Sequence, residues 1–207
     1  RVLLEQSPGY TPALCAMASI AMAEDRTHEA AVYLGRLVDE LKHPAFREEA
    51  TATDLSLAEL LLETEPEEAR VALERVLERA PDHEEALAHL IELARHAEDT
   101  EAVVPLLKRL LFSARSPESA KRAGLSLARH ALRRHEPEEA RVYMQVALEA
   151  APNDTDAQLA LAEVEAAAGY PHRAADLLES ALRTTDPSAV DASVAITLTL
   201  SKLCLER

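Results

Sequence analysis

The sequence predicts an all-α protein, a solenoid of antiparallel helix pairs, and three observations carry that prediction. Apolar slots spaced i, i+3, i+4, i+7 recur along the chain, which is one face of a 3.6-residue period. In the second helix of each pair the leading slot is held by Ala30, Ala69, Val103, Ala140 and Ala174, in steps of 39, 34, 37 and 34 residues. The composition is rich in Ala, Leu, Glu and Arg, with 3% aromatic residues and four glycines, which favours helix over sheet.

The clearest copy runs from Lys121 to Asn153. Its first helix carries Gly124, Leu127, Ala128 and Ala131 on one face. Pro137 then stands where a helix can start, because the first turn needs no internal N–H donor. Glu138 and Glu139 follow at the positive end of the helix dipole. Ala140, Tyr143, Met144 and Ala147 form the second stripe, and Ala151-Pro152-Asn153-Asp154 ends it. One stripe per helix means that neither helix is stable alone.

The same frame divides the chain. Residues 1–10 read as the end of a truncated preceding unit. The first full unit is 11–49, with Leu14, Met17, Ala18, Ala21 and then Ala30, Tyr33, Leu34, Leu37. The second is 50–83, with Ala69, Ala72, Leu73, Val76 in its second helix but polar Thr53 and Ser56 in the inward slots of its first. The third is 84–120, with Leu87, Leu90, Ile91, Ala94 and then Val103, Leu106, Leu107, Leu110. Pro105 should start that second helix late or kink it. The fourth is 121–154. The fifth is 155–188, with Gln158 and Glu165 in inward slots before Ala174, Leu177, Leu178, Ala181 and an end at Pro187. Residues 189–207 read as the first helix of a truncated sixth unit, with Ala192, Ala195, Ile196 and Thr199. Extra residues at 44–49 and 116–120 should lengthen the first helices that follow them. A start at Arg1 within a helical pattern suggests a piece cut from a larger protein.

Charge and motifs exclude several functions. With 22 basic against 37 acidic residues the net charge is −15, unsuited to nucleic acid or an anionic membrane. No apolar run is long enough to span a bilayer, so direct membrane insertion is not expected. Cys15 and Cys204 give no disulfide framework, which leans towards a reducing compartment, cytoplasmic over periplasmic. No phosphate-binding glycine loop, dinucleotide fingerprint, HExxH or CxxC is present, so no enzyme activity and no cofactor are expected.

The recurring Ala slot, the PEEA turns (Pro66 to Ala69, Pro137 to Ala140) and the Ala-Pro helix ends resemble the tetratricopeptide repeat (TPR) family. The chain departs from that pattern where the family's first-helix Trp and Gly are mostly replaced. The resemblance implies a right-handed superhelix whose first helices line a concave face. Carried over position by position, that face takes Cys15, Ser19, Met22 and Ala23 from the first unit and Asp54, Leu55, Ala58, Leu61 and Leu62 from the second. It takes Glu85, His89, Glu92, Arg95 and His96 from the third, and Arg122, Leu125, Ser126, Arg129, Leu132 and Arg133 from the fourth. The fifth adds Asp156, Leu159, Glu163 and Ala166.

Arg122, Arg129 and Arg133 form a stripe at i, i+7, i+11. Residues 108–141 hold nine Lys/Arg against four Glu, while the rest of the chain holds 13 against 33. Such a patch on an acidic body can orient a carboxylate-bearing ligand; the alternative is a solvated face paired with neighbouring glutamates. Leu55, Leu61, Leu62 and Met22 read either as a peptide-docking stripe or as packing between first helices. His89, Glu92 and His96 lie at i, i+3, i+7, but one helix supplies too few ligands, so no metal site is expected. Asn153, in a turn, is the only Asn, which argues against the family's clamp for chaperone tails. The expected function is a scaffold that binds a partner protein or peptide in the concave groove, with acidic residues of that partner meeting the arginine stripe. The alternative is a regulatory or sensory module of a multidomain kinase, transcriptional regulator or envelope-assembly protein. Self-association through the half-unit ends is a third option.

Overall fold

Among the residues described by the computed structural model, 2–184 and 190–205, the chain forms twelve α-helices, one 3₁₀ turn and no strand. In order they are α1 (Val2–Gln6), α2 (Thr11–Ala23), α3 (Thr27–Glu40), the 3₁₀ turn (Pro44–Phe46), α4 (Arg47–Leu61), α5 (Pro66–Arg79) and α6 (Glu84–His96). There follow α7 (Thr100–Ser113), α8 (Pro117–Arg133), α9 (Pro137–Ala150), α10 (Thr155–Ala167), α11 (Pro171–Thr184) and α12 (Val190–Leu205). Sequential neighbours pack as hairpins: α2/α3, α4/α5, α8/α9 and α10/α11. Two compact bodies result, one up to Thr100 and one from Glu101. In the first, Leu14, Leu37, Leu41 and Ala50 pack with Leu4 and Tyr33. In the second, Ala162, Ala174, Leu178, Ala181 and Ile196 pack with Leu159, Ala166 and Leu200.

Local chemistry sets where these helices begin. Pro66, Pro117 and Pro137 occupy first turns, where a missing N–H costs nothing. Asp154 caps α10 by accepting from the Ala157 N–H at 2.9 Å, and Ser116 accepts from Ser119 at the start of α8. The extra residues noted in the sequence fall at or just before the starts of long first helices, 15 residues in α4 and 17 in α8 against 13 in α2, α6 and α10.

Four helix ends share one closing geometry. Asp25, Glu98, His135 and Gly169 all take positive φ, between 56° and 85°. The following N–H bonds back to a carbonyl five residues earlier: Arg26 to Ala21, Asp99 to Ala94, Glu136 to Ala131 and Tyr170 to Glu165. This is the Schellman closure, normally made with glycine. The α4/α5 turn lacks it; Leu62 stays right-handed and Glu65 donates to the Leu61 carbonyl at 2.9 Å.

Second-helix stripes fall where the periodicity puts them in α5 and α9, where all four slots are buried. Two helices differ from expectation, and a third carries an expected polar residue inward. In α4 the buried residues are Ala50, Thr53, Asp54, Leu57, Ala58 and Leu61, so Ser56 is not an inward slot and Asp54, Ala58 and Leu61 are core. In α7 the buried face is Leu107, Leu110 and Leu111, and the helix runs without a late start from Thr100 through Pro105. In α10, Glu165 is indeed inward, 4% exposed, and its Oε2 has no hydrogen-bond partner. The expected end at Pro187 and the Ala192 side chain lie outside the described residues.

Two hairpins show how tightly the pairs close. In α8/α9 Gly124 has no room for a side chain: a Cβ there would lie 2.5 Å from the Ala147 Cβ and 3.0 Å from the Tyr143 carbonyl oxygen. In α4/α5 the fully buried Asp54 carboxylate takes ion pairs from both Arg75 and Arg79. Arg75 Nε donates to Asp54 at 3.0 Å, and Arg79 also donates to the Ala50 carbonyl at 3.2 Å and the Thr51 hydroxyl at 3.3 Å. Two guanidinium forks satisfy the carboxylate, as a buried charge requires.

Candidate partner-binding surface

The cationic face belongs to α8. Its core side is Ala120, Ala123, Gly124, Leu127, Ala128 and Ala131, and the helical period puts Arg122, Arg129 and Arg133 opposite them, where all three are exposed. Neighbouring cations are already engaged. Lys121 lies 2.9 Å from both Glu118 and Asp154, and these two carboxylates hold its ammonium well above the usual lysine range. Burial alone would push the Asp154 carboxyl up, but the Ala157 N–H and Lys121 outweigh it and the net shift is down. Lys108 lies 3.1 Å from Glu139 and 5.5 Å from the centre of the Tyr143 ring. Hydrogen bonds with the Tyr143 hydroxyl and Glu139 raise its pKa, and hydrogen bonds from Tyr143 and then Lys108 lower that of Glu139. Arg134 pairs with Glu136 at 3.1 Å, Arg141 pairs with Glu138, and Arg122 is not free.

Arg129 and Arg133 differ from these. Neither makes an ion pair or hydrogen bond among the described residues, and they lie one turn apart on one helix. Like charges at i, i+4 repel, so an anion bridging the two guanidiniums relieves strain as well as adding contact. Leu125 beside them is half-buried, and His130 is half-buried in the same helix.

In the first body the expected surface residues separate. Met22 is exposed at 41% and Leu62 is half-buried, while Leu61 is 5% exposed and packs in the core, which removes it from a groove surface. Glu92 pairs with Arg95 at 2.9 Å and His96 is exposed in the last turn of α6. The structure therefore does not gather His89, Glu92 and His96 into one group. It gathers His89 instead with Glu85, on the same helix, and Glu59 of α4, with one ligand atom from each within 4.8 Å of the others. Sequence reading missed Glu59; the i, i+4 spacing of Glu85 and His89 was the only local sign.

No protein-family model matches the sequence, and no curated protein matches it. Solved structures match well in fold. YrrB, described as a TPR protein with an unusual peptide-binding site, superposes with a TM-score of 0.59 at 16% identity, over 93% of this chain and 95% of that one. A MamA crystal structure gives 0.56 at 14% identity, over 84% of this chain and 91% of that one. MamA from Desulfovibrio magneticus RS-1 gives 0.52 at 15% identity, over 84% and 94% respectively. Among the described residues no helix is long and apolar enough to cross a membrane. Helix pairs repeating at this spacing, matched over nearly the whole length of YrrB, make this chain a tetratricopeptide-repeat array in fold.

Proposed function

We propose that the chain is a non-catalytic scaffold that binds a partner polypeptide through the outward face of its first helices, with acidic residues of the partner meeting Arg129 and Arg133. The observation that carries this reading is the pair of exposed guanidiniums on α8, without a carboxylate partner among the described residues, in a chain whose net charge is −15. Their neighbours Lys108, Lys121, Arg134 and Arg141 all pair with carboxylates, and among the described residues these two do not. The planar fork of arginine suits a carboxylate better than a lysine would. Leu125 offers an apolar contact beside the charges. The fold supports the reading by analogy, since YrrB is described as binding peptide.

The test is selection from a random peptide display library by wild type and by the Arg129→Glu/Arg133→Glu variant. Wild type should enrich Asp/Glu-containing sequences, with the enrichment lost in the variant and weakened in high salt. Equal enrichment by both proteins overturns the assignment of these two residues.

A further inference from the structure

Glu59, Glu85 and His89 form a second polar cluster, unrelated to the cationic face of α8. Two helices build it: Glu85 and His89 project from α6 one turn apart, and Glu59 reaches them from α4. His89 Nε2 lies 3.8 Å from Glu59 Oε1, too long for a hydrogen bond, and neither residue makes another ion pair among the described residues. Glu85 makes no hydrogen bond or ion pair among the described residues. Two carboxylates and one imidazole thus bring a ligand atom each to within 4.8 Å of the others. A divalent cation placed among these groups would pair with both carboxylates.

The distances suit a metal ion. Zinc binds imidazole nitrogen and carboxylate oxygen at about 2.0 to 2.2 Å in tetrahedral geometry, so its ligand atoms stand about 3.4 Å apart. Three ligand atoms all within 4.8 Å of one another reach that spacing by small rotamer adjustments, because all three side chains are at least partly exposed and free to turn. One nitrogen and two oxygens form a donor set for a borderline divalent ion rather than for calcium, which prefers oxygen alone.

We propose that Glu59, Glu85 and His89 form a divalent-cation site of the zinc class that ties α4 to α6, leaving the remaining coordination position to water. The inference is independent of the acidic-peptide reading, since it involves neither α8 nor any arginine. Bound metal would cross-link two helices of adjacent repeats and stabilise the first body.

Chelator-washed full chain titrated with ZnCl₂ in a calorimeter tests it, with His89→Ala and Glu59→Gln as comparisons and thermal unfolding as second readout. Both substitutions are at solvent-accessible positions and leave the core intact. One zinc ion per chain should bind the wild type and raise its unfolding temperature. Affinity should fall by at least about tenfold in each variant, as loss of a ligand does at least what loss of a supporting contact does. Absence of binding to the wild type overturns the proposal. So does binding that both variants keep at full strength, since the ion then sits elsewhere.

Discussion

The hairpins α4/α5 and α8/α9 space their core residues identically and fill one slot in opposite ways. Ala50, Thr53, Asp54, Leu57, Ala58 and Leu61 of α4 match Ala120, Ala123, Gly124, Leu127, Ala128 and Ala131 of α8 position for position. On the partner helices Ala69, Ala72, Leu73 and Val76 match Ala140, Tyr143, Met144 and Ala147 in the same way. Where α8 has no side chain at all and the helices touch, α4 has a buried carboxylate held by two arginines. The difference teaches that the repeat frame specifies where a contact is made and not what chemistry makes it. Close backbone approach gains dispersion contacts without burying charge. The ion triad buries a charge and depends on both arginines being present.

The largest break comes from Asp54→Ala. It leaves Arg75 and Arg79 converging on no anion and opens a polar void, at a cost of about 3 kcal/mol, the low end for a broken buried pair because both arginines stay partly exposed. Denaturant unfolding measures it, and a loss no larger than a surface substitution gives would mean the triad does not hold the hairpin. Next is Gly124→Ala. Alanine is the better helix former, yet the clash with Ala147 and the Tyr143 carbonyl should dominate and cost about 2 kcal/mol. Gly35→Ala, where a Cβ meets nothing within 4 Å, is its control and should stabilise by about 0.8 kcal/mol. A Gly124→Ala protein as stable as wild type would show that the two helices can move apart freely.

Smaller effects sharpen the contrast between the two turns. His135→Gly relieves a left-handed histidine after α8 and should stabilise by about 1 kcal/mol, whereas the α4/α5 turn has no such residue to relieve. Acid should act on α8/α9 by under about 1 kcal/mol for these partly exposed pairs. Asp154 and Glu139 have folded pKa values below their unfolded ones, so their stabilisation is full above about pH 4 and is lost as pH falls through the folded values. Lys121→Met should flatten that acid limb of the stability curve; an unchanged limb would assign it to other carboxylates.

What the sequence showed follows from the same contrast. Second helices such as α9 were legible because Ala140, Tyr143, Met144 and Ala147 keep an unbroken apolar period. The frame of α4 was not, because a charged residue in the central slot hides the stripe, and its arginine partners lie 21 and 25 residues away on another helix. In α7 a leucine-rich run lets neighbouring frames fit equally well, and packing chose Leu111 over Leu106. For the candidate surface, the outward direction of Arg129 and Arg133 could be read from period alone, since one helix decides it. That they lack carboxylate partners, and that Glu59 meets His89, depends on which helices become neighbours.

The Asp54 triad also places the two hairpins on different temperature schedules. Hydration of charged groups becomes less favourable on warming, so the desolvation penalty inside α4/α5 shrinks as temperature rises. The apolar closure of α8/α9 gains nothing comparable. Heating therefore shifts relative stability towards α4/α5, and residue-resolved hydrogen exchange at rising temperature should show α8/α9 losing protection relative to it. The buried ion pairs that already hold one repeat in the cold set it further apart from the next in the heat.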